Sequence, residues 1–275
     1  DNGNRIKDEG SDGTRTYRYD AADRLVEATG PGFSYENRFD AASRRVARTT
    51  AQGTTYFYHT EDGLAAEFDG QGNAVRSYAT DPLGQPGGAP LLARTYDGGA
   101  TATPHLFLND RMGVPTAVVS AAGAPTWTGR VSAYGEMSGS GTFANPFMLP
   151  GQYQDPSGLA QNWHRTYDPS IGSYLEEGPL GTWVTGPNRH GYAYGSPGMY
   201  IDPDGQTPAH LVGFVRYLAF EASSGFPTVK CLLSLARGCF SDEGGKACID
   251  RLAWAVIDQV TGRAQTIPFK VMGPV

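Results

Sequence analysis

Carboxylates, rather than imidazoles or thiols, carry the chemistry this sequence can offer. His59, His105, His164, His190 and His210 stand apart, with no His-x-x-His or Glu-x-x-His spacing and no cysteine near them. Neither a metal nor a cofactor is therefore expected. No Gly-x-Ser-x-Gly elbow or phosphate-cradling loop occurs, and Gly195-Ser196-Pro197-Gly198 reads as a turn. Cys231, Cys239 and Cys248 all fall late, where His210 is the one histidine available as a base. Cys239 and Cys248 flank a polar turn, which suits either a disulfide in an oxidising compartment or buried reduced thiols. The acids are placed differently. Asp155-Pro-Ser-Gly158 and Asp202-Pro-Asp-Gly205 are complete Asp-Pro-x-Gly turns, and Asp168–Gly172 is a partial one. In such a turn Asp bonds back to the local backbone, Pro presets φ and Gly takes a positive φ. Arg165, a lone cation in an aromatic run, can pair with Asp168 or Asp202 to hold these turns, or orient a reacting group.

The elements that must position these residues are short strands. Gly (37) and Pro (19) are in excess and tyrosine is frequent among the 275 residues, so a turn-rich, mainly β chain is expected. Aromatics recur: Tyr19, Phe39, Tyr58 and Tyr78 follow one another at intervals of 20, 19 and 20 residues. Around them YRYDAADRLVEAT, NRFDAASRRVART and FYHTEDGLAAEF each read as strand, tight turn and returning strand. One hairpin is marginal in water, so successive hairpins are expected to pair edge to edge and bury a shared face. Asp20, Asp40, Arg24 and Arg44 are then turn formers and strand arginines, and the recurrent aromatics are core or ladder residues.

The order along the chain is repeats over 1–85, last repeat strands and loops over 86–145, a dense turn-and-aromatic block over 146–205, and a tail over 206–275. Within the second segment Gln85–Gly98 reads as a loop and Ser138–Gly141 as a flexible one. In the block, Trp163–Tyr167, Tyr192–Tyr194 and Met199–Ile201 suit short strands. The tail changes character, with aliphatics at three-and-four spacing that predict a small α-rich unit of two or three helices. Residues 1–205 hold 15 Lys/Arg against 23 Asp/Glu, and 206–275 hold 7 against 5. With a formal net charge of −6, no nucleic-acid-binding surface is expected for the body of the chain. No stretch is long and apolar enough to span a bilayer. The opening DNGNRI resembles the middle of a repeat, so the chain reads as the C-terminal part of something longer, with any export signal upstream.

The run GQYQDPSGLAQNWHRTYDPSIGSYL, then YAY, then DPDG, together with the repeats, resembles the Rhs/YD-repeat family and its Rhs-associated core. That family includes bacterial polymorphic toxins and the C component of insecticidal toxin complexes. The resemblance implies a β-hairpin spiral forming a segment of hollow shell, capped by the core, around a variable C-terminal effector. It also implies secretion or display at the cell surface. The implied partners are the chain's own tail inside the shell, an immunity protein, and a secretion-system or carrier protein. A structural or adhesive surface protein without a toxin is the alternative.

The resemblance further implies an intramolecular aspartyl protease that cuts just after the second Asp-Pro-x-Gly, two carboxylates sharing a proton between base and acid roles. Here the second motif is intact at Asp202, whereas Gly178 stands where the first Asp is expected and the spacer covers residues 182–201. Glu177, Asp168 and Asp204 are the acids that could stand beside Asp202, with Arg165 orienting, and the cleavage region is Gly205, Gln206 and Thr207. Asp202 serving only as a turn former is the other reading.

Overall fold

The computed structural model describes residues 2–80, 87–98, 101–181 and 187–206. These lie in the first of two compact units, Asp1–Val212 and Gly213–Val275. The helical tail, Thr207, His210 and the three cysteines fall outside the described residues.

Among the described residues, thirteen strands form one antiparallel sheet in chain order. They are β1 Lys7–Gly10, β2 Gly13–Tyr19, β3 Leu25–Gly30, β4 Phe33–Phe39, β5 Arg45–Thr50, β6 Gly53–Thr60, β7 Gly63–Phe68, β8 Ala74–Thr80, β9 Pro90–Tyr96, β10 Ala102–Asn109, β11 Pro115–Ser120, β12 Pro125–Val131 and β13 Met137–Gly141. Each strand pairs with its sequence neighbours, as expected of hairpins laid edge to edge.

The turn Asp does what its side chain allows. Asp20 Oδ1 accepts from the backbone N–H of Ala22 and Arg24, and Arg24 Nε donates to Oδ2 at 2.8 Å. Asp40 repeats the pattern with Ala42 and Arg44. The residue before each arginine, Asp23 or Ser43, takes a positive φ of 59°. A register shift sits beside each of these turns, so the turn closes with one extra residue and bends the strand.

One face of this wall is buried: Tyr17, Leu25, Ala28 and Tyr35 pack with Leu159 and Leu175 of the following block. Ala93, Phe107, Val118 and Trp127 pack with Phe143. That block forms a small second sheet, β14 Tyr153–Gln154, β15 Ala160–Asn162, β16 Arg165–Asp168 and β17 Ser173–Tyr174. The block fills the inner face of the wall.

Several local expectations change. Within Gln85–Gly98, Pro90–Tyr96 is strand β9, paired with both β8 and β10. Its proline opens the strand, where the missing N–H costs no ladder bond. Ser138–Gly141 is part of β13, paired to β12. Trp127 lies across Gly139, where a Cβ would come within 2.5 Å of the indole ring, so glycine there admits the ring. Of the three aromatic runs, only Arg165–Asp168 is a strand: Trp163 turns with φ 47°, Ala193–Gly195 is a 3-10 turn, and Met199–Ile201 forms no strand. Tyr192, just before that 3-10 turn, is buried against Tyr167 and Tyr174, whereas Tyr194 stays 42% exposed.

The third repeat is offset by one residue. Tyr58 is 58% exposed, and the neighbouring register shift falls between Tyr58 and His59. In the first two repeats the shift falls just before Tyr19 and Phe39. His59 therefore holds the place of Tyr19, its Nε2 meeting the Arg45 carbonyl as the Tyr19 hydroxyl meets that of Arg5.

Candidate functional site

Asp202–Gln206 are the last described residues of the chain, and the side chains that hold them come from β15, β16 and β17. Strand β16 is buried along its whole length. Its first residue, Arg165, lies flat on Tyr174, with the guanidinium carbon 3.5 Å from the ring centroid. Nη2 donates to Asp202 Oδ2 at 3.0 Å, Nη1 to the Arg189 carbonyl at 3.3 Å, and Nε to the Gly205 carbonyl. The Tyr174 hydroxyl also donates to Asp202 Oδ2, at 2.9 Å. Asn162 Nδ2 closes the cluster, donating to the Tyr174 hydroxyl and the Asp202 carbonyl, both at 2.7 Å. One residue before Gly205, the Asp204 carbonyl accepts the His164 backbone N–H and contacts His164 Nδ1 at 3.0 Å. Gly205 carries φ +70°, and a Cβ there would collide with the Asn162 carbonyl oxygen. A backbone shaped that way requires glycine.

Electrostatics follow from burial. Asp202 and Arg165 are both about fully enclosed, at 1% and 2% exposure. Taking a carboxylate out of water raises its pKa, Arg165 opposes the shift, and the nearby Asp204 carboxyl adds to it, leaving Asp202 near 6. Burial likewise lifts the Tyr174 hydroxyl well above its ordinary range.

Of the acids proposed from sequence, Asp202 meets Arg165 and lies beside Asp204. Asp168 is engaged elsewhere: it receives the Ser170 N–H and hydroxyl on one oxygen and pairs with Arg5 at 3.3 Å on the other. Glu177 is partly exposed and pairs with Arg189. Gly178 sits in a turn, donating its N–H to the Arg189 carbonyl.

The residue missed is Glu176. It is 2% exposed, accepts the Thr166 N–H at 2.7 Å on Oε2, and has no partner for Oε1 among the described residues. Burial raises its pKa to about 8, with the Thr166 bond and Arg165 pulling the other way. A signal existed: Glu176 shares strand parity with Tyr174, whereas Glu177 does not.

A second charged cluster joins the wall to the core. Arg45 Nη1 reaches both Asp155 oxygens at 2.7 Å, and Arg48 Nη1 reaches Oδ1 at 2.6 Å. Glu67 accepts the Tyr78 and Tyr153 hydroxyls at 2.5 and 3.0 Å.

Residues 1–32 match the family model described as RHS Repeat, on a wall of consecutive hairpins with Asp-turns at the repeat interval. The chain is an Rhs/YD-repeat protein. Its relatives include toxin protein Tse5 of Pseudomonas aeruginosa, 28% identical over 247 residues, covering 74% of this chain and 18% of the relative. Double-stranded DNA deaminase toxin A of Burkholderia cenocepacia is 29% identical, covering 75% of this chain and 16% of that protein. The chain therefore spans under a fifth of these relatives. The tRNA nuclease WapA of Bacillus subtilis is 30% identical, covering 82% of this chain and 10% of its own length. In fold, the chain resembles part of chains in toxin-complex structures. One is the Photorhabdus luminescens Tc holotoxin pore with a TccC3 variant, at TM-score 0.55 and 15% identity, over 70% of this chain and 10% of that one. Another is the TcdB2–TccC3 crystal structure, at TM-score 0.54 and 16% identity, with the same coverage.

Proposed function

We propose that this chain is the closing segment of an Rhs β shell, which surrounds and presents the region beginning at Gln206 as a C-terminal effector. The observation that carries this is the buried hold on Asp202–Gly205, just before the region in question. Arg165, Asn162 and Tyr174 spend buried polar groups on Asp202–Gly205, fixing the stretch that leads into Gln206. The toxin names of its relatives support an effector beyond that point, and the tail is the shell's first partner. Association with other toxin components, a dedicated immunity protein, and export by a secretion system belong to the same proposal. Expressing residues 206–275 alone in bacteria tests it. Growth arrest, relieved when the full chain is expressed, is the expected result. Harmless expression points to the structural or adhesive reading.

A second reading is favoured by one contact, the bond from Arg165 Nε to the Gly205 carbonyl. A guanidinium on that oxygen stabilises the negative charge that develops when water adds to the carbonyl carbon. In this reading Asp202, near pKa 6, takes the proton from the attacking water. The proton is then returned, directly or through Asp204, to the Gln206 nitrogen as the Gly205–Gln206 bond breaks. Intact mass measurement of the purified full chain decides. A cut after Gly205 that disappears in Asp202→Asn supports self-cleavage, and an uncut wild type removes it while leaving the shell reading in place.

A further inference from the structure

Among the described residues lie three Asp-Pro bonds, Asp155–Pro156, Asp168–Pro169 and Asp202–Pro203. Such a bond carries a weakness in its own covalent structure. The aspartyl carboxyl reaches its own backbone carbonyl carbon through a five-membered ring, so the attack is intramolecular. The prolyl nitrogen belongs to a tertiary amide and leaves more readily than an ordinary peptide nitrogen. The fold treats the three bonds differently. Asp155 is gripped on both oxygens, Oδ1 by Arg45 and Arg48 and Oδ2 by Arg45. Asp168 is gripped on both as well, Oδ1 by the Ser170 N–H and hydroxyl and Oδ2 by Arg5. Asp202 is held on one side, where Arg165 Nη2 and the Tyr174 hydroxyl both meet Oδ2.

The Asp202 carbonyl is prepared for attack as well. Asn162, wholly buried, donates Nδ2 to that oxygen at 2.7 Å, and the same nitrogen is steadied by the Tyr174 hydroxyl. A fixed donor there favours the negative charge that appears when the carbon becomes tetrahedral. The Asp155 carbonyl has a donor too, the Gly158 N–H, so the freedom of the carboxyl is what separates the two sites. Facing the Asp202 carboxyl are one cation, Arg165, one acid, Asp204, and three phenols, Tyr174, Tyr192 and Tyr194. Burial outweighs Arg165 and lifts Asp202 to about 6, so the carboxyl holds its proton in mildly acidic solution.

We propose that Asp202 cuts the chain at its own bond to Pro203. Oδ1 bonds to the Asp202 carbonyl carbon, and the carbonyl electron pair moves onto the oxygen held by Asn162. As that pair returns, the carbon–nitrogen bond breaks, its electrons stay with the prolyl nitrogen, and the carboxyl proton joins them. The products are a cyclic anhydride at Asp202 and a free secondary amine at Pro203. One water from solvent then opens the anhydride, leaving Asp202 as a C-terminal residue with both carboxyls. A single acid suffices, so Gly178 is no obstacle. The inference goes beyond the cleavage after Gly205: a different bond breaks, by a nucleophile other than water, whether or not the shell encloses an effector.

Intact mass measurement of the purified full chain, incubated over a pH series and denatured before analysis, tests this. The expected fragments end at Asp202 and begin at Pro203, and differ from those of a cut after Gly205 by the mass of Pro-Asp-Gly. Their rate of formation should rise as pH falls through about 6, whereas water activated by the Asp202 carboxylate attacks faster as pH rises. Asp202→Glu, which needs a larger ring, and Pro203→Ala, which supplies a poorer leaving group, should each slow the cut by about 100-fold. A variant that had merely unfolded would reveal itself by breaking at Asp155 and Asp168. The wild-type chain in urea completes the comparison: with all three carboxyls released, the three bonds should break at similar rates. Folded protein that stays whole at every pH, or breaks equally at Asp155, Asp168 and Asp202, overturns the proposal. A cut found only after Gly205 overturns it too, and upholds the water mechanism.

Discussion

The wall and the core use the same residue types in opposite ways. In the wall, Asp and Arg pair four residues apart at half-exposed turns, as Asp20 does with Arg24 and Asp40 with Arg44. In the core, Asp155 reaches Arg45 across 110 positions of chain, and Asp202 reaches Arg165 across 37, all with side chains almost wholly buried. The first kind of pair shapes a local turn and is worth little by itself. The second kind fixes which parts of the chain meet. Breaking it is costly because the surviving partner is left charged without water. The wall is thus a product of nearest neighbours, whereas the core is a device for pinning distant segments, including Asp202–Gln206.

Substitutions separate the two regimes. The largest loss is expected from Arg165→Met, which strands the Asp202 carboxylate and frees the Gly205 carbonyl. Urea unfolding should show about 3–5 kcal/mol of destabilisation, recovered in part by adding Asp202→Asn. An equal loss from the double variant would mean that stranding the Asp202 carboxylate is not the source of the loss. Asp155→Ala leaves Arg45 and Arg48 unpaired and is expected to cost a similar or slightly smaller amount.

Next comes a pH effect. Glu176 has a folded pKa near 8 against an ordinary 4.5. The folded protein holds a proton that the unfolded chain has lost, so this group's contribution is complete below about pH 4.5 and declines as pH rises through 8. His59, His105 and His164 are pushed down by burial and act oppositely below their ordinary range. Between about pH 6.5 and 7.5, wild type should therefore lose roughly 1.4 kcal/mol per pH unit relative to Glu176→Gln. Parallel stability curves for the two would mean that the folded protein has also released the Glu176 proton in this range. The smallest effect belongs to the wall: Asp40→Ala removes bonds at one half-exposed turn and should cost about 1 kcal/mol.

This contrast also explains what the sequence could reveal. The hairpin wall was legible because each of its causes is local: an aromatic strand, an Asp-turn and a return every twenty residues or so. Its errors were local too. His59 replaced an aromatic at the inward position, and Tyr58, one residue away, drew the alignment outward. The Gly-rich Ser138–Gly141 resembled a loop because its strand character depends on Trp127 covering it. In the core, Arg165 and Asp202 could be named from their motifs. Their cage of Asn162 and Tyr174 could not, since nothing in residue spacing says that positions 162, 174 and 202 converge. Glu176 and Glu177 were distinguishable only by strand parity in a two-residue strand, too short to announce its phase.

The central claim is that wall and core form one cooperative body held by buried ion pairs. Native-state hydrogen exchange on Asp155→Asn tests it most directly. Protection should fall by the same free energy in β3–β6 of the wall and in β15–β16 of the core, because the two open together. Loss confined to β15–β16, with the wall strands as protected as before, would contradict it.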